Sequence, residues 1–97
     1  MVRLIDFEHI EQDALKRNIP IMQKEGILFL ISQLIEMKAT SCLEIGSAIG
    51  YSSMMMVTHV DDLKVDTIEL NEERYQEAVS NIHKYHLDSQ ISIFLDD

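Results

Sequence analysis

Two glycines lie four residues apart in the stretch CLEIGSAIGYSS, which runs from Cys42 to Ser53. The apolar residues before Gly46 predict a buried strand that ends at this glycine, where the backbone can turn tightly and approach a ligand. Gly50 then opens a helix, whose first N–H groups attract an anion or a carboxylate. Ser52, next to Tyr51 in the first turn of that helix, can donate a hydrogen bond to the same group. The spacing alone is a weak signal, because a tight strand-to-helix turn without a ligand uses the same glycines.

An acidic residue at the end of the next predicted strand strengthens this interpretation. Glu69 ends the strand read in KVDTIEL, and an acid in that place can accept hydrogen bonds from both hydroxyls of a ribose. Glu72 and Glu73 already supply negative charge to the first turn of the following helix, so Glu69 needs a different explanation. The glycines and Glu69 together predict a site for a cofactor that contains a nucleoside.

The residues around the glycines favour one such cofactor over another. A dinucleotide site is typical of Gly-x-Gly-x-x-Gly, but here Ala48 replaces the second glycine and the third is absent. Glu44, just before the turn, places an acid where the ammonium group of a cofactor can be neutralised, directly or through water. An ammonium, a carboxylate and a ribose describe S-adenosylmethionine better than a dinucleotide. An NAD-dependent oxidoreductase is the alternative enzyme class, and the broken fingerprint counts against it.

The elements that must position these residues alternate between strands and helices after an initial pair of helices. This alternation implies βαβ units and a parallel sheet, in which right-handed crossovers order the strands three, two, one. The result is half of a doubly wound sheet, with a vacant side on the strand SCLEI, although that sequence is typical of a central strand. The chain is therefore interpreted as the N-terminal half of a larger domain, and its open edge predicts self-association into a homodimer. The predicted helices cover about 4–17, 23–37, 51–60 and a segment capped by Asn71, and the predicted strands are SCLEI, KVDTIEL and ISIFL.

The composition excludes some classes of protein. The chain has 97 residues, of which 46% are hydrophobic, and this is enough for one small core. No apolar run is long enough to span a membrane, and the acids in MVRLIDFEHIEQD argue against an export signal. The single cysteine cannot form an internal disulfide, which favours a cytoplasmic location. The formal charge of −9 disfavours a polyanion-binding surface on this segment.

The motifs together resemble a known family. LEIGSAIGYSS with TIELNEERYQEAVSNI resembles the class I S-adenosylmethionine-dependent O-methyltransferases. Within them the chain resembles the bacterial group that methylates 5-hydroxyuridine in tRNA, relatives of catechol and caffeoyl-CoA O-methyltransferases, whose N-terminal motif is similar to IPIMQKEG at Ile19–Gly26. The resemblance runs from about Ile19 to Asp97. It implies a Rossmann-like α/β fold that is truncated after the third parallel strand, with N-terminal helices at 1–38 and a βαβαβ half-sheet at 39–97.

The resemblance also implies which residues contact the cofactor. The motif after the third strand is usually Gly-Asp-Ala, and this chain reads LDD, so Asp96 departs from the pattern and the match of Asp97 to the acid near the adenine is weakened. By position, the implied cofactor contacts are Met22, Glu44, Gly46, Ser47, Gly50, Tyr51, Ser52, Glu69 on the ribose, and Asp97.

The remaining parts of the implied enzyme fall outside this chain. The family's magnesium ligands and substrate-positioning residues follow a fourth strand, so the resemblance assigns no catalytic residue and no metal ligand here. In the full-length protein it implies methyl transfer from the sulfonium to a metal-polarised hydroxyl. The acceptor would be tRNA 5-hydroxyuridine or a small hydroxylated molecule, and any tRNA contact would be made through the missing half. A non-catalytic cofactor-binding module is the alternative for the 97-residue chain itself.

Several side chains that could react or bind a ligand are interpreted as structural. Of the three methionines at 54–56, at most two can face the core, because successive helical residues point in different directions. Cys42 is interpreted as a small core residue, since nothing near it would lower its pKa. His83 and His86 are interpreted as helix-surface residues without a metal. Tyr51 either lines the acceptor side of the cofactor or packs, and the sequence leaves both open.

Overall fold

The computed structural model describes residues 7–96, and the secondary structure follows the predicted order. The α/β fold is the predicted one, while the predicted start of the first helix near Leu4 lies outside the described residues. Within residues 7–96 no helix is both long and apolar enough to cross a membrane. The elements are α1 (Glu8–Lys16), α2 (Lys24–Glu36), β1 (Ser41–Ile45), α3 (Tyr51–His59), β2 (Lys64–Glu69), α4 (Glu72–Lys84) and β3 (Ile91–Leu95).

The strands form one parallel sheet in the order β1–β2–β3, as the crossover rule predicts. Glu44 on β1 lies opposite Thr67 on β2, and Thr67 lies opposite Ile93 on β3. Within the part of the chain that the structure describes, β1 has a strand neighbour on one side only. The register therefore brings Glu44 and Thr67 side by side at the carboxyl end of the sheet.

Among residues 7–96, helices cover the sheet on one face only. Side chains alternate between the two faces of a strand, and on β2 the buried residues Val65, Thr67 and Glu69 alternate with more exposed ones. Two right-handed crossovers that step in the same direction place α3 and α4 on the same face. The prediction of a buried β1 is wrong for the other face, where Leu43 and Ile45 are 65% and 72% exposed.

The methionines of α3 are all buried, so the prediction that at most two of them face the core is wrong. Met54, Met55 and Met56 are 0%, 5% and 1% exposed. The physical reason is that α3 contacts α2 as well as β2 and β3, so this helix is covered on more than one side. Flexible methionine side chains fill such irregular gaps well.

Contacts from the N-terminal helix to α4 fix the position of the segment that follows α1. The guanidinium of Arg17 donates hydrogen bonds of 2.8 and 2.6 Å to the carboxylate of Glu77 on α4. The ring of Phe7, which is buried, meets the ring of Tyr85 edge to face with centroids 5.0 Å apart. An exposed ion pair contributes little, so the buried aromatic contact is the stronger restraint. Residues 20–22, which follow α1, line one cavity together with the carboxyl end of β1.

Candidate functional site

The turn between β1 and α3 depends on residues with positive φ. Gly46 and Gly50 have φ angles of 91° and 88°, and Ala48 between them has a φ of 49°. The backbone N–H groups of Gly46 and Ser47 donate to the carbonyl oxygen of Ile68, at 2.7 and 3.3 Å, which ties the turn to β2. A Cβ added to Gly46 would meet no atom within 4 Å, whereas one added to Gly50 would lie 3.5 Å from Ala78 on α4. Gly46 therefore borders open space, whereas at Gly50 a Cβ would make an ordinary contact and it is the positive φ that favours glycine.

The carboxylate of Glu69 is bound by two loops. Its oxygens accept hydrogen bonds from the backbone N–H groups of Ala48 at 2.6 Å and of Asn71 at 2.9 Å. The residue is only 7% exposed, so its side chain is enclosed between these two loops. Position 69 continues the covered face of β2, and the turns after β1 and β2 close over it from both sides. Asn71 also caps α4 as predicted, because its side chain accepts a hydrogen bond from the N–H of Arg74 at 3.0 Å.

The carboxylate of Glu44 is surrounded by hydroxyl groups. Its Oε1 accepts hydrogen bonds from Ser53 at 2.6 Å and from Thr67 at 2.7 Å. Its Oε2 accepts a hydrogen bond from Ser52. The hydroxyl of Ser47 lies 2.7 Å from that of Thr67, which adds a further group to the network. In this state Ser52, which was expected to meet an anionic group of the cofactor, donates to Glu44 instead.

A cavity of about 190 Å³ opens at this end of the sheet. Met22, which is 43% exposed, lies at its wall and also lines a neighbouring cavity of about 320 Å³ beside the start of α2. Tyr51 lines both cavities although it is only 1% exposed, and its hydroxyl donates to Glu11. Tyr51 is thus a packed residue with one edge at the cavity. The first cavity is lined by Pro20, Ile21, Met22, Glu44, Ile45, Gly46, Ser47, Ala48, Tyr51 and Ser52.

A larger cavity of about 400 Å³ lies at the opposite, amino end of the strands. Its lining includes Lys38, His59, Asp61 and Asp62. We assign the site to the carboxyl end despite this difference in size, because ligands of open α/β sheets bind where the strands end and the turn glycines leave space. In residues 7–96 no three or more His, Cys, Asp or Glu side chains come together to hold a metal ion, at either end.

The structure brings most of the predicted site residues together. Met22, Glu44, Gly46, Ser47, Tyr51 and Ser52 line the same cavity, although the side chain of Ser47 points into the network beneath it. Gly50 packs against α4, Glu69 lies behind the N–H of Ala48, and Asp97 lies outside the described residues. The interpretation of the sequence did not identify Ser53 and Thr67, which both donate to Glu44. The strand period offered a signal for Thr67, which lies two residues before Glu69 and on the same face.

The surroundings of Cys42 do not activate its thiol as a nucleophile, as the sequence predicts. The thiol is partly buried on β1, and burial together with the nearby negative charge of Glu44 raises its pKa above the usual value. A raised pKa leaves less thiolate at neutral pH, and the thiolate is the nucleophilic form. His83 and His86 are both exposed, as predicted, but His86 lies beyond the end of α4 with a φ of 59°, so its placement on the helix is wrong.

Comparisons with known proteins place these features in a family. The model of the O-methyltransferase family matches residues 5–97. A Staphylococcus aureus protein assigned as a caffeoyl-CoA O-methyltransferase is 33% identical over 93% of this chain, with a TM-score of 0.89. A Bacillus cereus O-methyltransferase, solved in complex with S-adenosylhomocysteine, is 26% identical over 89% of this chain, with a TM-score of 0.76. This chain spans 43% and 40% of the lengths of those two proteins.

Proposed function

The chain belongs to the O-methyltransferase family, and from that membership we propose that the cavity at the carboxyl end of β1 holds S-adenosylmethionine. The observation that carries the proposal is the turn at Gly46, where Glu44 lines the cavity and Glu69 accepts a hydrogen bond from the N–H of Ala48. An NAD site does not need an acid at position 44, and the glycine pattern is not that of a dinucleotide fold.

Each part of the cofactor has a partner of suitable chemistry. We assign the ribose hydroxyls to Glu69, the ammonium to Glu44 and the carboxylate to the start of α3 with Ser52. No side chain caps this helix start within the described residues, so its N–H groups are oriented for an anion. The space beside Gly46 permits close approach of the cofactor to the backbone, and Met22 supplies an apolar wall. When bound, S-adenosylmethionine supplies an electrophilic methyl group on its sulfonium.

The remaining site residues have supporting roles in this proposal. Gly50 adopts the positive φ with which the turn enters α3, and Ser47 contributes through its backbone and through the network under the cavity. Tyr51 shapes the cavity wall. Asp97 keeps the role near the adenine that the resemblance gives it. In this proposal residues 39–97 form the cofactor-binding part, and residues 1–38 form the N-terminal helical part.

The acceptor and the partners belong to a longer protein in this proposal, because the chain spans well under two thirds of its structural relatives. We propose tRNA 5-hydroxyuridine as the acceptor, supported by the motif IPIMQKEG, with a small hydroxylated acceptor of the caffeoyl-CoA type as the alternative. The magnesium ion has no ligand set in residues 7–96, so the roles assigned to these residues involve no metal. We further propose a cytoplasmic location and a homodimer, supported respectively by the single cysteine and by the open edge of β1.

Isothermal titration calorimetry with S-adenosylhomocysteine and with NAD tests the proposed cofactor. We expect the chain to bind S-adenosylhomocysteine at one site and to show no heat with NAD. The change Glu69→Gln should weaken S-adenosylhomocysteine by about 1.5–3 kcal/mol, the range for hydrogen bonds to charged groups. The matched change Glu73→Gln removes an exposed charge in the first turn of α4 and should leave binding unchanged.

Two outcomes would contradict the proposal or narrow it. Equal binding of NAD, or an unchanged affinity in Glu69→Gln, would contradict the cofactor and the ribose assignment respectively. A methyl-transfer assay with labelled S-adenosylmethionine then separates an active enzyme from a module that binds the cofactor without turning it over.

A further inference from the structure

A network of buried hydroxyl groups lies beneath the cavity and joins two strands to the start of α3. Ser53 and Thr67 are 0% exposed, and Ser47 is 2% exposed. All three connect to Glu44, either directly or through one another. Burying a hydroxyl group lowers the stability of the fold unless the group is hydrogen-bonded. The three hydroxyls meet this requirement through one shared acceptor, the carboxylate of Glu44.

The direction of the hydrogen bonds follows from the number of protons. Each hydroxyl has one proton to donate, and Thr67 gives its own to Oε1 of Glu44 at 2.7 Å. Ser47 must therefore be the donor in its 2.7 Å contact with Thr67. Ser53 supplies a second hydrogen bond to Oε1, at 2.6 Å. The chain Ser47 to Thr67 to Glu44 thus runs one way, toward the carboxylate, and each bond in such a chain strengthens the next.

The two oxygens of Glu44 are consequently in different situations. Oε1 has both of its acceptor positions filled by buried donors, whereas Oε2 accepts from Ser52 and keeps a further position. Glu44 is half-buried and lines the cavity, so this remaining position is available to a ligand there. Because the donors to Oε1 are fixed in the core, the carboxylate needs no rearrangement when a cation binds.

From this geometry we propose that Ser53 and Thr67 are positioning residues that hold Glu44 toward the ammonium group of the cofactor. The inference rests on the proposed function and adds residues to it that touch no ligand themselves. A purely structural role would affect every ligand of the cavity equally, whereas a positioning role affects only ligands that carry the ammonium group.

The test compares S-adenosylhomocysteine with 5′-methylthioadenosine, which keeps the adenosine and the thioether but lacks the amino-acid part. We expect Thr67→Val to weaken S-adenosylhomocysteine by about tenfold and 5′-methylthioadenosine by less than about twofold. Thr58→Val is the matched control, because the Thr58 hydroxyl is buried without a hydrogen-bond partner among the described residues. That variant makes the same chemical change on α3 and should bind both ligands like the unaltered chain.

Two further variants keep the test decisive if Thr67→Val folds poorly. Ser53→Ala removes the other donor to Oε1 and should show the same selective loss. Thr67→Ser restores the hydroxyl and should restore affinity for S-adenosylhomocysteine. Melting followed by circular dichroism identifies any variant whose binding loss comes from unfolding.

The outcomes separate this inference from the proposal on which it rests. Equal losses for both ligands in Thr67→Val and Ser53→Ala, or no loss for either, would overturn the positioning role while cofactor binding by the unaltered chain stands. Failure of the unaltered chain to bind either ligand would contradict the proposed function, and the positioning role would fall with it.

Discussion

At the scale of single residues, the two acids of the site are held in different ways. Glu69 is bound by backbone N–H groups of the turns after β1 and β2, whereas Glu44 is bound by side-chain hydroxyls. Backbone donors exist at any turn of that shape, while the hydroxyls require serine or threonine at particular positions. Glu69 therefore contributes to the fold as well as to the proposed site.

This double role predicts that Glu69→Ala destabilises the protein. The change leaves the N–H groups of Ala48 and Asn71 without their acceptor, and such losses cost about 1–3 kcal/mol of the free energy of unfolding. Urea denaturation followed by circular dichroism measures it, with Glu73→Ala as the exposed control. A Glu69→Ala variant as stable as the control would mean that water replaces the carboxylate at no cost.

Cys42 predicts a pH dependence with a defined sign. Its pKa is raised mainly by burial and further by Glu44, so at pH 8 the folded chain carries less thiolate than the unfolded chain. Alkylation by iodoacetamide should be slower in the folded chain, and urea should remove the difference. The raised pKa also means that this thiol's contribution to stability is present below the unfolded pKa and is lost as the pH rises through the folded one. Equal alkylation rates with and without urea would contradict the raised pKa.

At the scale of elements, the glycines of this chain predict opposite effects of the same substitution. Gly50→Ala should lower the free energy of unfolding by about 1–2 kcal/mol, because a residue with a side chain is strained at a φ of 88°. Gly26 lies within α2, where alanine is the better helix former, so Gly26→Ala should raise the free energy of unfolding by up to about 1 kcal/mol. The new Cβ would lie 3.3 Å from Cγ of Met22, a long unbranched side chain that can shift by the few tenths of an ångström required. Thermal unfolding of both variants measures these two changes in stability. Loss of stability in both, or in neither, would contradict the assigned backbone roles.

The order of the helices and strands could be predicted from the sequence, but which of their faces are buried by other elements could not. Period and turn residues locate α2, the three strands and the Asn71 cap, because these depend on local spacing. The burial of all three methionines depends on a second layer that packs onto α3, which no local pattern contains. Thr67 was missed although the strand period places it on the same face as Glu69, because its contact with Glu44 depends on the register between β1 and β2. Ser53 was missed because its contact with Glu44 depends on how α3 packs against β1.

At the scale of the whole molecule, the sheet formed by residues 7–96 has one uncovered face, and its two edge strands, β1 and β3, each have a strand neighbour on one side only. On that face Ile45, Ile68 and Phe94 lie in register across the three strands, and Ile45 and Phe94 are 72% and 53% exposed. The edge of β1 adjoins the same row, within residues 7–96. Open strand edges and exposed apolar surface recruit other chains, so we expect self-association.

Analytical ultracentrifugation at micromolar concentration tests this expectation. The unaltered chain should sediment as a dimer or larger, and Leu43→Lys with Ile45→Lys should shift it toward the monomer, because lysines disfavour edge pairing and apolar contact. Leu28→Lys is the control, since it places a lysine on an exposed apolar position of α2. A monomeric unaltered chain, or an equal shift in the control, would contradict an association through β1.

The most direct test of the central claim is where S-adenosylhomocysteine binds on the molecule. Two-dimensional ¹H–¹⁵N NMR of the labelled chain reports each backbone amide during a titration. We predict that the largest shifts fall on residues 44–53 and 69–71, around the turn at Gly46 and the carboxylate of Glu69. Residues 38–40 and 59–62, which line the larger cavity at the other end of the strands, should stay unchanged. Shifts concentrated at 38–40 and 59–62, or none at saturating ligand, would contradict a cofactor site at the carboxyl end of the sheet.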